Sequence, residues 1–164
     1  MRPTLPDIDL SQLPRTFSMT IPEKFRDEMG HMNVTWYTHL FSEAMGGLMT
    51  HLGLTSDYVK TEKIGGVALE AHIHYLAEVH IDDQVSVYSR LLKRSDKRMH
   101  MLHILHNETR DQIAALFEGV MACFDLKARR MCEVPAGIAT KIDTVIQEHD
   151  ALDWKAPLCG VMAP

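Results

Sequence analysis

The longest coherent run of apolar positions lies between residues 34 and 52. Tyr37, Leu40, Phe41, Ala44, Met45, Leu48, Met49 and Leu52 recur at spacings of three and four, the repeat of a helix with one broad face turned to a core. Asn33 stands where an N-cap belongs, since its side chain can accept a bond from an early helix amide. Gly53 stands where a C-terminal stop belongs. Gly46 and Gly47 interrupt good helix formers, which predicts that another backbone comes close there. Upstream, "TFSMTIP" puts Phe17, Met19 and Ile21 on one face of a short strand that Pro22 ends.

After a polar loop, "TSDYVKTEKIGG", the period changes to two. In "VALEAHIHY" the alternation predicts Val67, Leu69, Ala71, Ile73 and Tyr75 on one face and Glu70, His72 and His74 on the other. Three further strand-like runs cover 84–93, 98–107 and 113–125, with "RSDK" and "ETRDQ" as turns. The tail beyond Val134 is weaker in pattern, with a short helix expected at 141–149. Strand, long helix, then four hairpin-linked strands make an α+β chain. Without repeated strand–helix alternation a parallel doubly wound sheet is not expected, and one antiparallel sheet must wrap the helix.

At 164 residues the chain suits one domain with a sizeable core. Apolar residues at 46% and charged residues at 24% are ordinary for a globular protein. A net charge of −5 argues against a nucleic-acid partner. Cys123, Cys132 and Cys159 are odd in number and lack metal-type spacing, which suggests a reduced, cytoplasmic chain. No apolar run reaches membrane-spanning length, so no membrane partner is expected. Residues 1–15 carry three prolines and no apolar signal-peptide core, and read as an extended arm.

The candidate chemistry sits in front of the long helix, in "RDEMGHMN". A helix start presents unpaired N–H groups and the positive end of the dipole. A carbonyl oxygen placed there is polarised, and an oxyanion is held more strongly still. Asp27, on the turn, could activate water or attack the carbonyl carbon itself. Gly30 lets the backbone bend, and His31 and Asn33 add donors and acceptors. Asp, Gly and Asn before a helix are also ordinary turn and cap residues, and spacing by itself favours that reading.

The block D-x-x-G-H-M-N-x-x-x-Y-x-x-x-F-x-x-A, from Asp27 to Ala44, resembles the hotdog-fold acyl-CoA thioesterases of the 4-hydroxybenzoyl-CoA thioesterase-like group. The similarity continues through "EAHIHYLAEVHIDDQVSV" and "FDLKARRMCEVP" and spans 16–135. The resemblance implies a hotdog fold of five to six antiparallel strands around one long central helix, with 136–164 as a C-terminal extension packed on the domain. It implies a homodimer or homotetramer with sites at the subunit interface. The reaction is hydrolysis of acyl-CoA to a carboxylic acid and free CoA, with coenzyme A as part of the substrate and neither a separate cofactor nor a metal.

Carried over by residue, Asp27 matches the catalytic carboxylate and Gly30 the glycine of the active-site turn. Val34 matches the position whose amide polarises the thioester carbonyl. His31 and Asn33 match positions that shape the acyl pocket in one subgroup. The hydroxybenzoyl subgroup has apolar residues at those two positions, so hydroxybenzoyl specificity is not expected. Some hotdog thioesterases carry the working carboxylate on the central helix, which makes Glu43 the alternative to Asp27, although an exposed helical Glu is ordinary.

Trp36, Tyr37 and Tyr75 could line an acyl pocket, and an aromatic cage would suit the quaternary ammonium of betainyl-CoA. Tyr37 also belongs to the core stripe, where packing is its simpler role. Glu70 and His72 could reach the acyl pocket across a dimer interface, or simply lie on a half-exposed sheet face. Lys93, Arg94, Lys97 and Arg98, then Lys127, Arg129 and Arg130, collect at hairpin ends and could hold CoA phosphates. Charged turns are the ordinary alternative.

Three rival readings remain. Gly66, His72, His74 and Glu78 fit part of a cupin metal motif, but Val85 stands where that motif needs glycine. His100, His103 and His106 would alternate faces on a strand and make no cluster. A hotdog hydratase would show a His–Asp pair or a His–Phe–Pro–Gly start; that start is missing, and Asp27 with His31 is an imperfect substitute. A noncatalytic acyl-CoA-binding hotdog, acting as sensor or scaffold, would keep the basic turns without needing Asp27.

Overall fold

A computed structural model describes residues 5–164; the first four residues of the predicted arm lie outside it. The elements are β1 (Arg15–Thr20), α1 (Val34–His51), α2 (Ser56–Glu62), β2 (Ile64–Tyr75), β3 (Gln84–Arg94), β4 (Arg98–Asn107), β5 (Gln112–Asp125), β6 (Arg130–Met131) and α3 (Ala136–Asp150). The strands pair antiparallel in the order β1-β3-β4-β5-β2, and the two-residue β6 adds to the end of β5. One curled sheet thus wraps one long helix, a hotdog arrangement.

α1 buries Tyr37, Leu40, Phe41, Ala44 and Leu48. Its first half packs with Val85, Val87, Leu105 and Ala115, its second half with Leu91, Met99, Met101 and Met121. The paired glycines divide in role. A Cβ on Gly47 would meet the Thr16 carbonyl oxygen at 2.0 Å, so β1 crosses the helix there at backbone contact. A Cβ on Gly46 would meet nothing within 4 Å.

The opposite face of the sheet carries its own cluster of Leu13, Leu102, Ile104, Leu116 and Trp154. Arg90 fastens the chain end to that face, donating 2.9 Å bonds to the carbonyls of Trp154 and His149, with its guanidinium 4.2 Å from the Trp154 ring. Buried Glu118 accepts from His100 at 2.8 Å and from the Cys159 amide at 2.6 Å. Burial opposes its charge, but those bonds hold its carboxyl below the usual range.

Two local patterns depart from expectation. The loop 55–62 contains α2, because the Thr55 hydroxyl caps the Tyr58 amide at 3.1 Å. The strand β2 carries a bulge between Ala68 and Glu70. An extra residue in one strand shifts its alternation. Val67, opposite Ala122, therefore shares the outer face with Glu70, His72 and His74, while Ala71, Ile73 and Tyr75 face the helix side. The tail helix is also longer than the stretch 141–149, starting at Ala136.

Candidate active site

The segment 25–33 folds back on itself as a small antiparallel loop. The Asn33 amide donates to the Phe25 carbonyl at 2.9 Å, Arg26 bridges Met32, and the Asp27 amide donates to the His31 carbonyl at 2.9 Å. Gly30 closes the turn at φ +92°, a conformation that costs other residues strain. Beneath the loop, Phe25 stacks on Trp36 with ring centroids 3.8 Å apart and planes 8° from parallel. That stack joins the turn to the first turn of α1, and it commits Trp36 to packing.

Asp27 has two unequal oxygens. Oδ1 accepts from the Met29 amide at 2.8 Å and, more weakly, from the His31 amide at 3.4 Å. Among the described residues Oδ2 faces only the His31 Nδ1, at 3.3 Å. The side chains of Asp27 and His31 are 16% and 20% exposed, so the pair is half withdrawn from water yet reachable. Asn33 caps the helix as expected, with Oδ1 accepting from the Thr35 amide at 3.0 Å and hydroxyl at 2.8 Å. The Val34 amide makes no hydrogen bond among the described residues.

These groups share one open cleft of about 500 Å³. Asp27, Met29, His31, Asn33, Val34 and Tyr37 form one side, and Tyr75, Leu76, Ala77 and Glu78 the other. A 2.8 Å bond from the Met32 amide to the Val79 carbonyl ties the two sides together. The Tyr37 and Tyr75 rings meet edge to face at 5.2 Å. Tyr37 is 6% exposed and Tyr75 47% exposed, so the first is core with one edge at the cleft and the second is a free wall. The Tyr37 hydroxyl donates to the Ala77 carbonyl at 3.3 Å, and burial pushes its pKa up to about 12, leaving a neutral phenol.

Other candidates stand apart within one chain. Glu43 is exposed on α1 and does not line the cleft, being roughly 14 Å along the axis from Val34 at 1.5 Å per residue. Glu70 and His72 lie on the outer sheet face, where the His72 and His74 Nε2 atoms are 3.1 Å apart. Arg94 is held in a two-toothed pair with Asp143, both bonds 2.6 Å. Arg98 opens β4 near the far end of α1, beside Met99 and Met121. The three histidines of β4 do separate. His100 pairs with Glu118, buried His103 bonds Ser89 at 2.7 Å, and His106 lies 3.3 Å from Asp111.

Sequence reasoning missed Glu78 and His80 as cleft neighbours. Glu78 Oε1 is 3.8 Å from the His31 Nε2, and Glu78 Oε2 is 3.7 Å from the His80 Nε2. Their placement depends on the long-range Met32–Val79 bond, which no local pattern announces. Among the described residues no group of three or more His, Cys, Asp or Glu side chains is arranged to hold a metal ion.

The chain is similar to known proteins along most of its length. Betainyl-CoA thioesterase of Pseudomonas aeruginosa is 28% identical over 143 residues, covering 87% of this chain and 90% of that one. An L-carnitine dehydrogenase/betainyl-CoA thioesterase of Agrobacterium fabrum is 32% identical over 117 residues, 71% of this chain but only 24% of that longer protein. A Staphylococcus aureus protein solved in complex with CoA superposes with a TM-score of 0.81 at 22% identity, covering 100% of this chain and 98% of that one. The family model of the thioesterase-like superfamily matches residues 20–142, and the chain belongs to that superfamily.

Proposed function

We propose that the Asp27–Val34 cleft is where this acyl-CoA thioesterase hydrolyses its substrate. The reading rests on one observation: a half-buried carboxylate and an uncommitted helix-start amide line the same cleft. The thioester carbonyl oxygen sits at the Val34 amide, where the helix dipole adds to the donor. Asp27 Oδ2 acts on the carbonyl carbon, by activating a water or by direct attack that gives a transient anhydride. Collapse of the tetrahedral species expels the CoA thiolate; the water route leaves the carboxylic acid directly, and the anhydride route releases it, and regenerates Asp27, when a water then cleaves the anhydride. The His31 ring beside Oδ2 orients the carboxylate, and Gly30 and Asn33 hold the turn and the helix start in place.

The acyl group we propose is small and cationic, betainyl in the first instance. Two aromatic rings at the cleft suit a quaternary ammonium. The Pseudomonas aeruginosa relative, similar over nearly its whole length, carries that substrate in its name.

The working unit we propose is a homodimer, or a tetramer built from two dimers, paired through β2. This strand is the sheet edge and leaves Leu69 and Tyr75 each 47% exposed. It starts at Ile64, beside the turn that carries Arg130 and near Lys97 and Arg98, and ends at Tyr75, at the cleft. Antiparallel pairing of two such edges sets one copy's cleft beside the other copy's basic turns, which then hold the CoA phosphates. A reducing compartment, the cytoplasm, suits the three free cysteines.

The test is a panel of acyl-CoAs with a free-thiol readout, including betainyl-, 4-hydroxybenzoyl- and straight-chain acyl-CoA. Turnover led by betainyl-CoA is expected. Tight binding across the panel without any thiol release would overturn the enzyme reading in favour of a sensor.

A further inference from the structure

We infer that Glu78 is the specificity-determining residue of the acyl pocket, the counter-charge that selects a cationic acyl group over a neutral one of the same shape. The inference rests on the proposed thioesterase site and adds a residue and a selection rule to it.

A quaternary ammonium has no N–H to donate. Only a ring face and a full negative charge can recognise it. Tyr75, the exposed wall of the cleft, supplies the ring. Glu78 is the acidic side chain on the wall opposite Asp27. Its position is fixed through the next residue, since Val79 is fully buried and its carbonyl accepts the Met32 amide at 2.8 Å.

The Glu78 carboxylate accepts no hydrogen bond among the described residues: the His31 and His80 ring nitrogens are 3.8 and 3.7 Å away, beyond hydrogen-bond length. The spacing also suits the ligand. Across one methylene a betainyl nitrogen lies ~2.5 Å from its carbonyl carbon. With its carbonyl engaged by Asp27, an acyl group turned along the His31 ring carries its ammonium toward Glu78. A neutral acyl group of that size gains the same packing but no counter-charge, and an anionic one is repelled by both carboxylates.

The experiment compares betainyl-CoA with 3,3-dimethylbutanoyl-CoA, in which carbon replaces the charged nitrogen. Wild type is expected to prefer the cation in kcat/KM. Glu78 is 66% exposed, so solvent screening limits the preference to on the order of tenfold. Glu78→Gln should abolish that preference, read as the ratio of kcat/KM for the two substrates. Glu78→Lys should invert it. A preference that survives in Glu78→Gln overturns the inference and leaves the thioesterase reading intact. Equal losses on both substrates also overturn it, because Glu78 would then act through His31. No turnover of either substrate by wild type removes the parent reading and this one with it.

Discussion

The Nδ1 of His31 lies 3.3 Å from Oδ2 of Asp27, the carboxylate oxygen that the backbone leaves free. The other oxygen is held by the Met29 amide. Asp27 therefore presents one fixed and one available oxygen, as a base or nucleophile requires.

Replacing Asp27 with Asn keeps an acceptor for the Met29 amide and removes the charge. We expect kcat to fall on the order of a hundredfold or more with the fold unchanged. Steady-state thiol release and a thermal melt are the measurements. Activity within a few-fold of wild type would move the bet to Glu43.

Val34→Pro isolates the helix-start donor. Proline is tolerated at the first helical position, and Asn33 already has the extended backbone, φ −61° and ψ 143°, that a residue before proline adopts. The substitution removes the one amide hydrogen with little cost to the helix. We expect kcat to drop by on the order of 10² to 10³, with a melting temperature near that of wild type. Unchanged kcat in a folded variant would show that the oxyanion is held elsewhere.

Gly46 and Gly47 should respond to alanine with opposite signs. Gly46→Ala meets open space and should stabilise by up to about 1 kcal/mol through helix propensity. Gly47→Ala drives a Cβ into the Thr16 carbonyl and should destabilise by about 1–3 kcal/mol or more, since backbone must shift. Parallel denaturant titrations check the pair. Similar midpoints for the two would contradict the close approach of β1.

His103 makes stability fall with acid. Complete burial lowers its pKa from 6.5 to about 3, so it is neutral when folded. The unfolded chain binds the extra proton between those values, and stability is present above pH 6.5 and lost as pH falls toward 3. The slope should approach about 1.4 kcal/mol per pH unit. His103→Gln should flatten that part of the stability curve between pH 5 and roughly 6.5, relative to wild type. His149, also lowered by burial, contributes in the same direction and remains in both proteins. Identical slopes in the two would count against a neutral buried His103.

The long helix was legible because its apolar stripe is strong, and the turn before it because Asp27, Gly30 and Asn33 act through local bonds. The close contact at Gly47 was legible as an unexplained propensity cost. The alternation along β2 misled at Val67, since the bulge at Leu69 inverts parity without altering composition. The helix 56–62 hid in polar residues because its start is one hydroxyl cap rather than an apolar face. Glu78 was visible only as a letter in a metal motif. Its place at the cleft comes from pairing between segments some 45 residues apart, which local pattern cannot carry.

The cleft has two walls of different origin. The stacked Phe25–Trp36 pair makes the carboxylate and the helix amide parts of one short rigid piece of chain. The facing stretch 75–78 is attached to it through the Met32–Val79 bond. On the proposed reading, the hydrolytic pair Asp27 and Val34 sits in the first segment and Tyr75 and Glu78 in the second. Exchanging the second segment should then retune what the protein accepts and leave the hydrolytic pair in place.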